Sequence, residues 1–169
     1  NASNYILIDS TSGRILAEKN ADERIEPASI TKIMTGYVAA DQIAKGFVSL
    51  EDQVLISENC WRKGGSKMFI REGTRVSLSD LIKGMVIQSG NDASCAIAEH
   101  VAISEEGFID LMQLYVDELG LNNTQFKNVS GWPDPDHYSS ARDLAKLTKS
   151  LIDKFPQHYS LYKERYFTF

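Results

Sequence analysis

The chain has 169 residues, which is enough for one domain with a sizeable hydrophobic core. Its net charge is −5 and its basic residues are scattered, which argues against nucleic acid as a partner. No apolar run approaches the ~20 residues that a membrane-spanning helix requires. The histidines, His100, His137 and His158, are too scattered to indicate a metal site, and we expect neither a metal nor a cofactor.

The first 26 residues predict a β-hairpin. Two strand-like runs, Tyr5–Asp9 and Arg14–Glu18, flank the turn Ser10–Gly13, whose glycine is typical of a hairpin loop. A polar connector, Asn20–Glu26, leads from the hairpin to the next element.

Residues 27–155 predict a mostly helical region, because apolar residues recur there at helical spacing. Capping residues and glycine or proline stop signals define the helix ends. The five predicted helices begin at Ser29, after Ser77, after Asn91, after Ser104 and after Ser140.

Two other segments predict strands and loops. Residues 47–76 contain the apolar pieces Val54–Ile56 and Met68–Ile70. The polar loop between them, Trp61–Ser66, is either a surface loop whose Trp61 covers local core or a flap at the rim of a cleft. Tyr166–Phe169 predicts the start of a strand. The chain therefore belongs to the α+β class.

Two cysteines, Cys60 and Cys95, are too few to predict a disulfide framework. Cys95 lies in an apolar helical pattern, so we expect it to be a buried free thiol. A Cys60–Cys95 disulfide is the less favoured alternative.

Ser29 and Lys32 are the first candidate catalytic residues. Residues three apart share a helical face, so the Ser29 hydroxyl and the Lys32 amine can meet. A neutral amine within hydrogen-bond reach can take the proton of a serine and make it nucleophilic. The helix N-terminus presents free N–H groups, including that of Ser29, which suit a developing oxyanion. Ser-x-x-Lys alone is nevertheless a weak signal.

Ser89-Gly90-Asn91 is the second candidate motif. Taken alone, it indicates a turn between two helices, since its residue types are common in turns. After a Ser-x-x-Lys it acquires another meaning, because Ser-x-x-Lys, Ser-Asp-Asn or a variant, and Lys-Thr-Gly are the motifs of penicillin-binding proteins and class A β-lactamases.

The chain resembles the serine D-Ala-D-Ala carboxypeptidases of the penicillin-binding protein 5 type. The resemblance runs through nearly the whole sequence and keeps the family's order and spacing. It is carried by Tyr5–Asp9, Asn20–Arg24, Pro27–Thr35, Gln88–Ala93, Leu119–Leu121, Ser139–Asp143 and Phe167–Phe169.

The resemblance implies a β-lactamase/transpeptidase-like fold, in which an antiparallel sheet is flanked by helices and joined by a helical subdomain. Residues 1–169 would be the N-terminal portion of one DD-peptidase catalytic domain. Residues 1–26 would form a sheet hairpin, 27–155 the mostly helical region, and 156–169 the start of the return to the sheet. The C-terminal strands of that sheet would be absent from this chain.

The resemblance also implies a reaction. Ser29 would attack the carbonyl between the two D-alanines of a peptidoglycan stem peptide, and water would hydrolyse the acyl-enzyme. Lys32 would act as the base, Ser89 would relay a proton, and Asn91 would hold the substrate and Lys32. The Ser29 backbone N–H would supply half of the oxyanion hole. β-Lactams would acylate the same serine, and the enzyme would lie in the bacterial periplasm, held to the inner membrane through a C-terminal segment.

The chain departs from the family pattern because it contains no Lys-Thr-Gly. We expect a second polypeptide or a missing segment to carry this motif. The sequence would then be one piece of a cleaved or split enzyme, or a truncated form; exchange of elements with a second copy is the remaining possibility.

Two other functions remain open. A class A β-lactamase would need a glutamate that positions water, and Glu118 lies in a matching Glu-x-x-Leu-Asn string. We interpret Glu118 as a solvated helix-end residue instead. The other alternative is a catalytically silent module that binds peptidoglycan or β-lactams, which the absent third motif would favour.

Overall fold

The computed structural model describes residues 2–169 as helices packed around one buried helix, with two small antiparallel sheets. The strands are β1 (Tyr5–Ile8), β2 (Ile15–Lys19), β3 (Gln53–Leu55) and β4 (Arg75–Ser77). The α-helices are α1 (Lys32–Ala44), α2 (Glu58–Trp61), α3 (Leu78–Gln88), α4 (Asn91–Ala102), α5 (Glu105–Glu118), α6 (Ala141–Lys154) and α7 (Pro156–Tyr159). Two 3-10 turns cover Ala28–Thr31 and Ser160–Lys163. No helix among residues 2–169 is long and apolar enough to cross a membrane.

Helix α4 is the centre of the core. Its first eight residues, Asn91–Ala98, are all buried, and it packs against α1, α2, α3 and α5. Its buried residues are mostly small, which lets neighbouring helices approach closely. Larger side chains from those neighbours, including Met34, Leu81, Met85, Phe108 and Met112, complete the core.

The predicted hairpin is confirmed. Strands β1 and β2 pair antiparallel, with Tyr5 opposite Lys19 and an irregularity between Leu7 and Ile8. Both strands are largely exposed, and β1 lies against α6. The second sheet joins β3 to β4, and Val54 and Val76 face each other there and are buried.

Three predicted helix caps are also confirmed. The hydroxyls of Ser77, Ser104 and Ser140 each accept a hydrogen bond from the backbone N–H three residues later. Such a bond satisfies one of the N–H groups that a helix N-terminus leaves unpaired. These short-range bonds explain why the starts of α3, α5 and α6 could be predicted.

Three local expectations were wrong. Cys60 and Cys95 form a disulfide, because the unpredicted helix α2 brings their Cα atoms to 5.3 Å. Tyr166–Phe169 is not a strand, since no described strand pairs with it. The α-helix begins at Lys32 and not at Ser29, because the chain first forms a tighter 3-10 turn.

Candidate active site

Ser29 and Lys32 are brought together by the 3-10 turn and the start of α1. The Lys32 Nζ atom lies 3.3 Å from the Ser29 Oγ atom and donates a hydrogen bond to it. Nζ also donates to the carbonyl oxygen of Ser130 at 2.8 Å. The turn leaves the Ser29 N–H without an intrahelical partner, so it can serve as a donor to a bound group.

The Lys32 amine is buried without an acidic partner. Only 5% of the residue is exposed, and within residues 2–169 no Asp or Glu forms an ion pair with it. Burial disfavours the charged form and lowers the pKa of Lys32 from 10.5 to about 8. A substantial fraction of this amine is therefore neutral near physiological pH, as a proton acceptor requires.

The loop that carries Ser130 is held by two further side chains, Thr31 of the 3-10 turn and Thr35 of α1. The Thr35 hydroxyl donates to the Val129 carbonyl at 2.7 Å. Thr31 Oγ1 lies 2.8 Å from His137 Nε2, and His137 Nδ1 accepts from the Lys127 N–H at 3.0 Å. Because Nδ1 is an acceptor, the ring proton is on Nε2. Burial lowers the pKa of His137, which agrees with a neutral ring.

Asn128 and Gly131 give this loop its shape. Asn128 Oδ1 accepts from the N–H groups of Ser130, Gly131 and Trp132 at 3.2, 2.8 and 2.9 Å. Gly131 has a φ of +85°, and a Cβ atom there would collide with the carbonyl of Ala28. Only glycine permits this conformation and this close approach, so Gly131 lets the loop reach the turn that carries Ser29.

The second motif lies between α3 and α4, as the sequence predicted. Ser89 ends α3 with a φ of 55°, Gly90 is the N-cap of α4, and Asn91 is its first residue. The Asn91 side chain donates to the Gly64 carbonyl at 2.8 Å, and the Asn91 N–H donates to the Ser66 carbonyl at 2.8 Å.

The geometry joins the two motifs only in part. No hydrogen bond in the described part of the chain links Ser89 or Asn91 to Ser29 or Lys32. Asn91 and Ser130 nevertheless line one cavity of about 500 Å³. The Ser130 carbonyl accepts from Lys32, so one residue of this lining contacts the Ser29–Lys32 pair, whereas Ser29, Lys32 and Ser89 are not among the residues that line the cavity.

Asp92 is a buried residue of the site region that sequence reasoning missed. It is 0% exposed, and its carboxylate accepts the N–H groups of Met68, Phe69 and Ala93 at 2.9 Å each and of Ile70 at 3.3 Å. An acidic residue in the first turn of a helix was the available signal. Asp92 fixes the segment after Ser66 to the start of α4.

The other polar residues considered in the sequence analysis make contacts that account for them as structural residues. Glu118 is at the exposed end of α5, with its carboxylate 3.9 Å from Lys154. Asp9 accepts hydrogen bonds in the hairpin turn, and Asp143 lies in the Ser140 cap. Among the described residues, Cys60, Cys95 and Glu99 lie close enough together to share a metal ion, but sulfurs in a disulfide offer no thiolate ligand.

Comparison with known sequences gives concordant results. A family model described as D-alanyl-D-alanine carboxypeptidase, of the peptidase S11 type, matches residues 1–169. Two curated relatives from Escherichia coli K12, the D-alanyl-D-alanine carboxypeptidases DacC and DacA, are each 47% identical to this chain. The alignments cover 98% and 99% of this chain but only 43% of each relative. The chain thus spans less than half the length of these relatives.

Solved structures agree with this assignment. Penicillin-binding protein 5 from Haemophilus influenzae superposes with a TM-score of 0.97 at 42% identity, over 99% of this chain and 50% of that chain. The D-alanyl-D-alanine carboxypeptidase DacD from Francisella tularensis superposes with a TM-score of 0.94 at 42% identity, over 96% of this chain and 39% of that chain. The expected penicillin-binding-protein fold is therefore confirmed for the segment that this chain covers.

Proposed function

Because this chain belongs to the D-alanyl-D-alanine carboxypeptidase family, we propose that it carries the nucleophile of a serine D-Ala-D-Ala carboxypeptidase. Its substrates would be peptidoglycan pentapeptides, from which it trims the terminal D-Ala, and β-lactams would acylate the same serine. The observation that carries the proposal is the buried Lys32 amine, 3.3 Å from the Ser29 hydroxyl and lacking an acidic partner among residues 2–169.

In the proposed acylation, the Ser29 Oγ atom attacks the carbonyl carbon of the scissile amide while its proton passes to the neutral Lys32 Nζ. Charge develops on the carbonyl oxygen, where the Ser29 N–H donates; one such donor is worth roughly 3–4 kcal/mol. The C–N bond then breaks, and the leaving nitrogen takes a proton. Ser89 would relay this proton, since a hydroxyl both accepts and donates.

Deacylation would use the same serine and lysine, with water as the nucleophile. Water attacks the ester carbon on Ser29 while its proton passes to the neutral Lys32 amine; the bond from that carbon to Ser29 Oγ then breaks, Lys32 returns the proton to Oγ, and the free acid leaves. Asn91 would orient the substrate backbone. Its amide now donates to Gly64, so it would exchange or share this bond when a substrate arrives.

We further propose that the second lysine of the site, in a Lys-Thr-Gly motif, comes from a segment outside these 169 residues or from a second polypeptide. The motif does not occur in the sequence. Without it, the carboxylate of the substrate would have no cationic partner from this motif. The proposed location is the bacterial periplasm, at the inner membrane, where peptidoglycan stem peptides are accessible.

Labelling with a fluorescent penicillin tests the proposal. The full-length protein should become covalently labelled, and it should release D-Ala from a peptide that ends in D-Ala-D-Ala. Ser29→Ala should abolish both signals, whereas Ser160→Ala, at an exposed serine on the far 3-10 turn, should leave both unchanged. Labelling that survives in Ser29→Ala would refute the assignment of the nucleophile.

Penicillin labelling, a penicillin-binding measurement and a cephalosporin turnover assay together separate the two alternative functions. A protein that binds penicillin without covalent labelling would be a silent binding module. Rapid turnover of a chromogenic cephalosporin would instead indicate a β-lactamase. The position of Glu118, exposed at the end of α5 and near Lys154, gives the β-lactamase alternative no support.

A further inference from the structure

The Cys60–Cys95 disulfide lies next to the second motif of the proposed site. Cys95 is one helical turn after Asn91 on α4, so the two residues share a helical face. Cys60 is in α2, directly before the segment of residues 62–67, which we call the 62–67 loop. Both cysteines are 0% exposed.

The 62–67 loop is held to α4 and α5 at several points. Its Gly64 and Ser66 carbonyls accept from the side chain and the backbone of Asn91, each at 2.8 Å. Its Lys63 forms an ion pair of 2.6 Å with Glu105, the first residue of α5. The disulfide is the covalent attachment at the loop's N-terminal end, where Asn59 also donates a hydrogen bond to Glu99 of α4 at 2.9 Å.

The loop forms one wall of the cavity of about 500 Å³ that Asn91 and Ser130 line. The loop that contains Trp132 also lines this cavity, and the Trp132 ring packs against the 62–67 loop, 3.5 Å from the position of a Cβ on Gly64. A shift of the 62–67 loop would therefore change the width of the cavity and move the acceptor of the Asn91 amide.

We propose that the Cys60–Cys95 disulfide is a positioning element of the active site. It fixes the 62–67 loop against the start of α4 and so sets the orientation of the Asn91 amide and the width of the cleft. This inference rests on the proposed acylation at Ser29. It assigns no chemistry to the sulfurs, and it leaves the Ser29–Lys32 hydrogen bond undisturbed, because the contacts of Lys32 are with Ser29 and Ser130 and not with the 62–67 loop.

The test uses the double variant Cys60→Ala/Cys95→Ala in the full-length protein. The rate of acylation by fluorescent penicillin, per folded molecule, should fall by roughly ten- to a hundredfold, because a misplacement of about 1 Å near reacting groups can cost that much. The midpoint of its pH profile should stay the same, since the surroundings of Lys32 are intact. Amide hydrogen exchange should accelerate in the 62–67 loop and not in residues 127–131.

A remote core variant controls for general destabilisation. Leu147→Ala removes a fully buried side chain from α6. It is compared with the double cysteine variant at a temperature well below the melting transitions of both variants. It should keep the wild-type acylation rate. An equal loss of rate in Leu147→Ala, an unchanged rate in the cysteine variant, or unmodified thiols in the folded wild-type protein would each overturn the inference. Failure of the proposed function is distinguishable, because the wild-type protein itself would then not be labelled.

Discussion

The pH dependence of acylation should follow the protonation of Lys32. The proposed base is the neutral amine, and burial lowers the pKa of Lys32 from 10.5 to about 8. At pH 7 about 10% of the amine is then neutral, compared with about 0.03% for a lysine with its ordinary pKa. The buried position thus increases the population of the reactive form by roughly 300-fold.

These fractions give a specific profile. Between pH 7 and pH 9 the neutral fraction rises from about 10% to about 90%, so the acylation rate constant should rise about tenfold and then level off. A lysine with an ordinary pKa would give a rise of about a hundredfold over the same range, with no plateau below pH 10.

The assay is a time course of labelling by fluorescent penicillin in the full-length protein, with penicillin in excess and the spontaneous hydrolysis of the β-lactam subtracted at each pH. Lys149→Ala, which removes a lysine paired with Asp153 on α6, should reproduce the wild-type profile. Lys32→Ala should show little labelling at any pH. A flat wild-type profile from pH 7 to pH 9, or a rate still climbing tenfold per pH unit at pH 9.5, would refute the role of a buried neutral lysine.

Three other substitutions test the structure around the site by urea unfolding. Lys32→Met should leave the free energy of unfolding at pH 7 unchanged or raise it by up to ~1 kcal/mol. The variant loses a charged hydrogen bond worth roughly 2 kcal/mol, but it also removes the cost of burying an ammonium group. This compensation should vanish above pH 10.5, where the wild-type amine is neutral in both the folded and the unfolded protein. A loss of more than about 2 kcal/mol of stability in Lys32→Met at pH 7 would contradict the reasoning. Asp92→Asn should cost about 3 kcal/mol, since an amide cannot accept the four N–H groups that the buried carboxylate accepts; Asp80→Asn, at a partly exposed helix start, should cost under about 1 kcal/mol. Gly131→Ala should lower stability by about 2 kcal/mol or more and slow acylation, because its φ is +85° and the Ala28 carbonyl blocks a Cβ. The control Gly13→Ala has a φ of +73° but open space around it, so it should lose only the smaller free energy of the strained backbone and keep the wild-type acylation rate.

Sequence reasoning succeeded where the determining contacts are local. The spacing of Ser29 and Lys32 predicts their contact, because one helical turn separates them. The hydroxyls that cap α3, α5 and α6 act within three residues, so they too can be recognised without a structure. The hairpin of β1 and β2 likewise depends on a short turn.

Two of the failures depend on contacts between distant residues. Cys60 and Cys95 are 35 positions apart, and their pairing depends on where the four-residue helix α2 lies against α4. The role of Asp92 depends on backbone N–H groups more than 20 residues earlier in the chain. Nothing in the local sequence of these residues specifies their partners, since backbone groups carry no side-chain signal.

The chemistry of Lys32 combines both kinds of contact. The local pattern brings the amine to Ser29, but a Ser-x-x-Lys on an exposed helix would hold a charged lysine that cannot accept a proton. In this fold, the loop around Ser130, 98 residues away, covers the amine and offers it a carbonyl in place of a carboxylate. A carboxylate would raise the pKa, whereas a neutral acceptor leaves desolvation dominant. The motif therefore becomes a candidate nucleophile–base pair only through the tertiary structure that Thr35, His137 and Gly131 maintain around it.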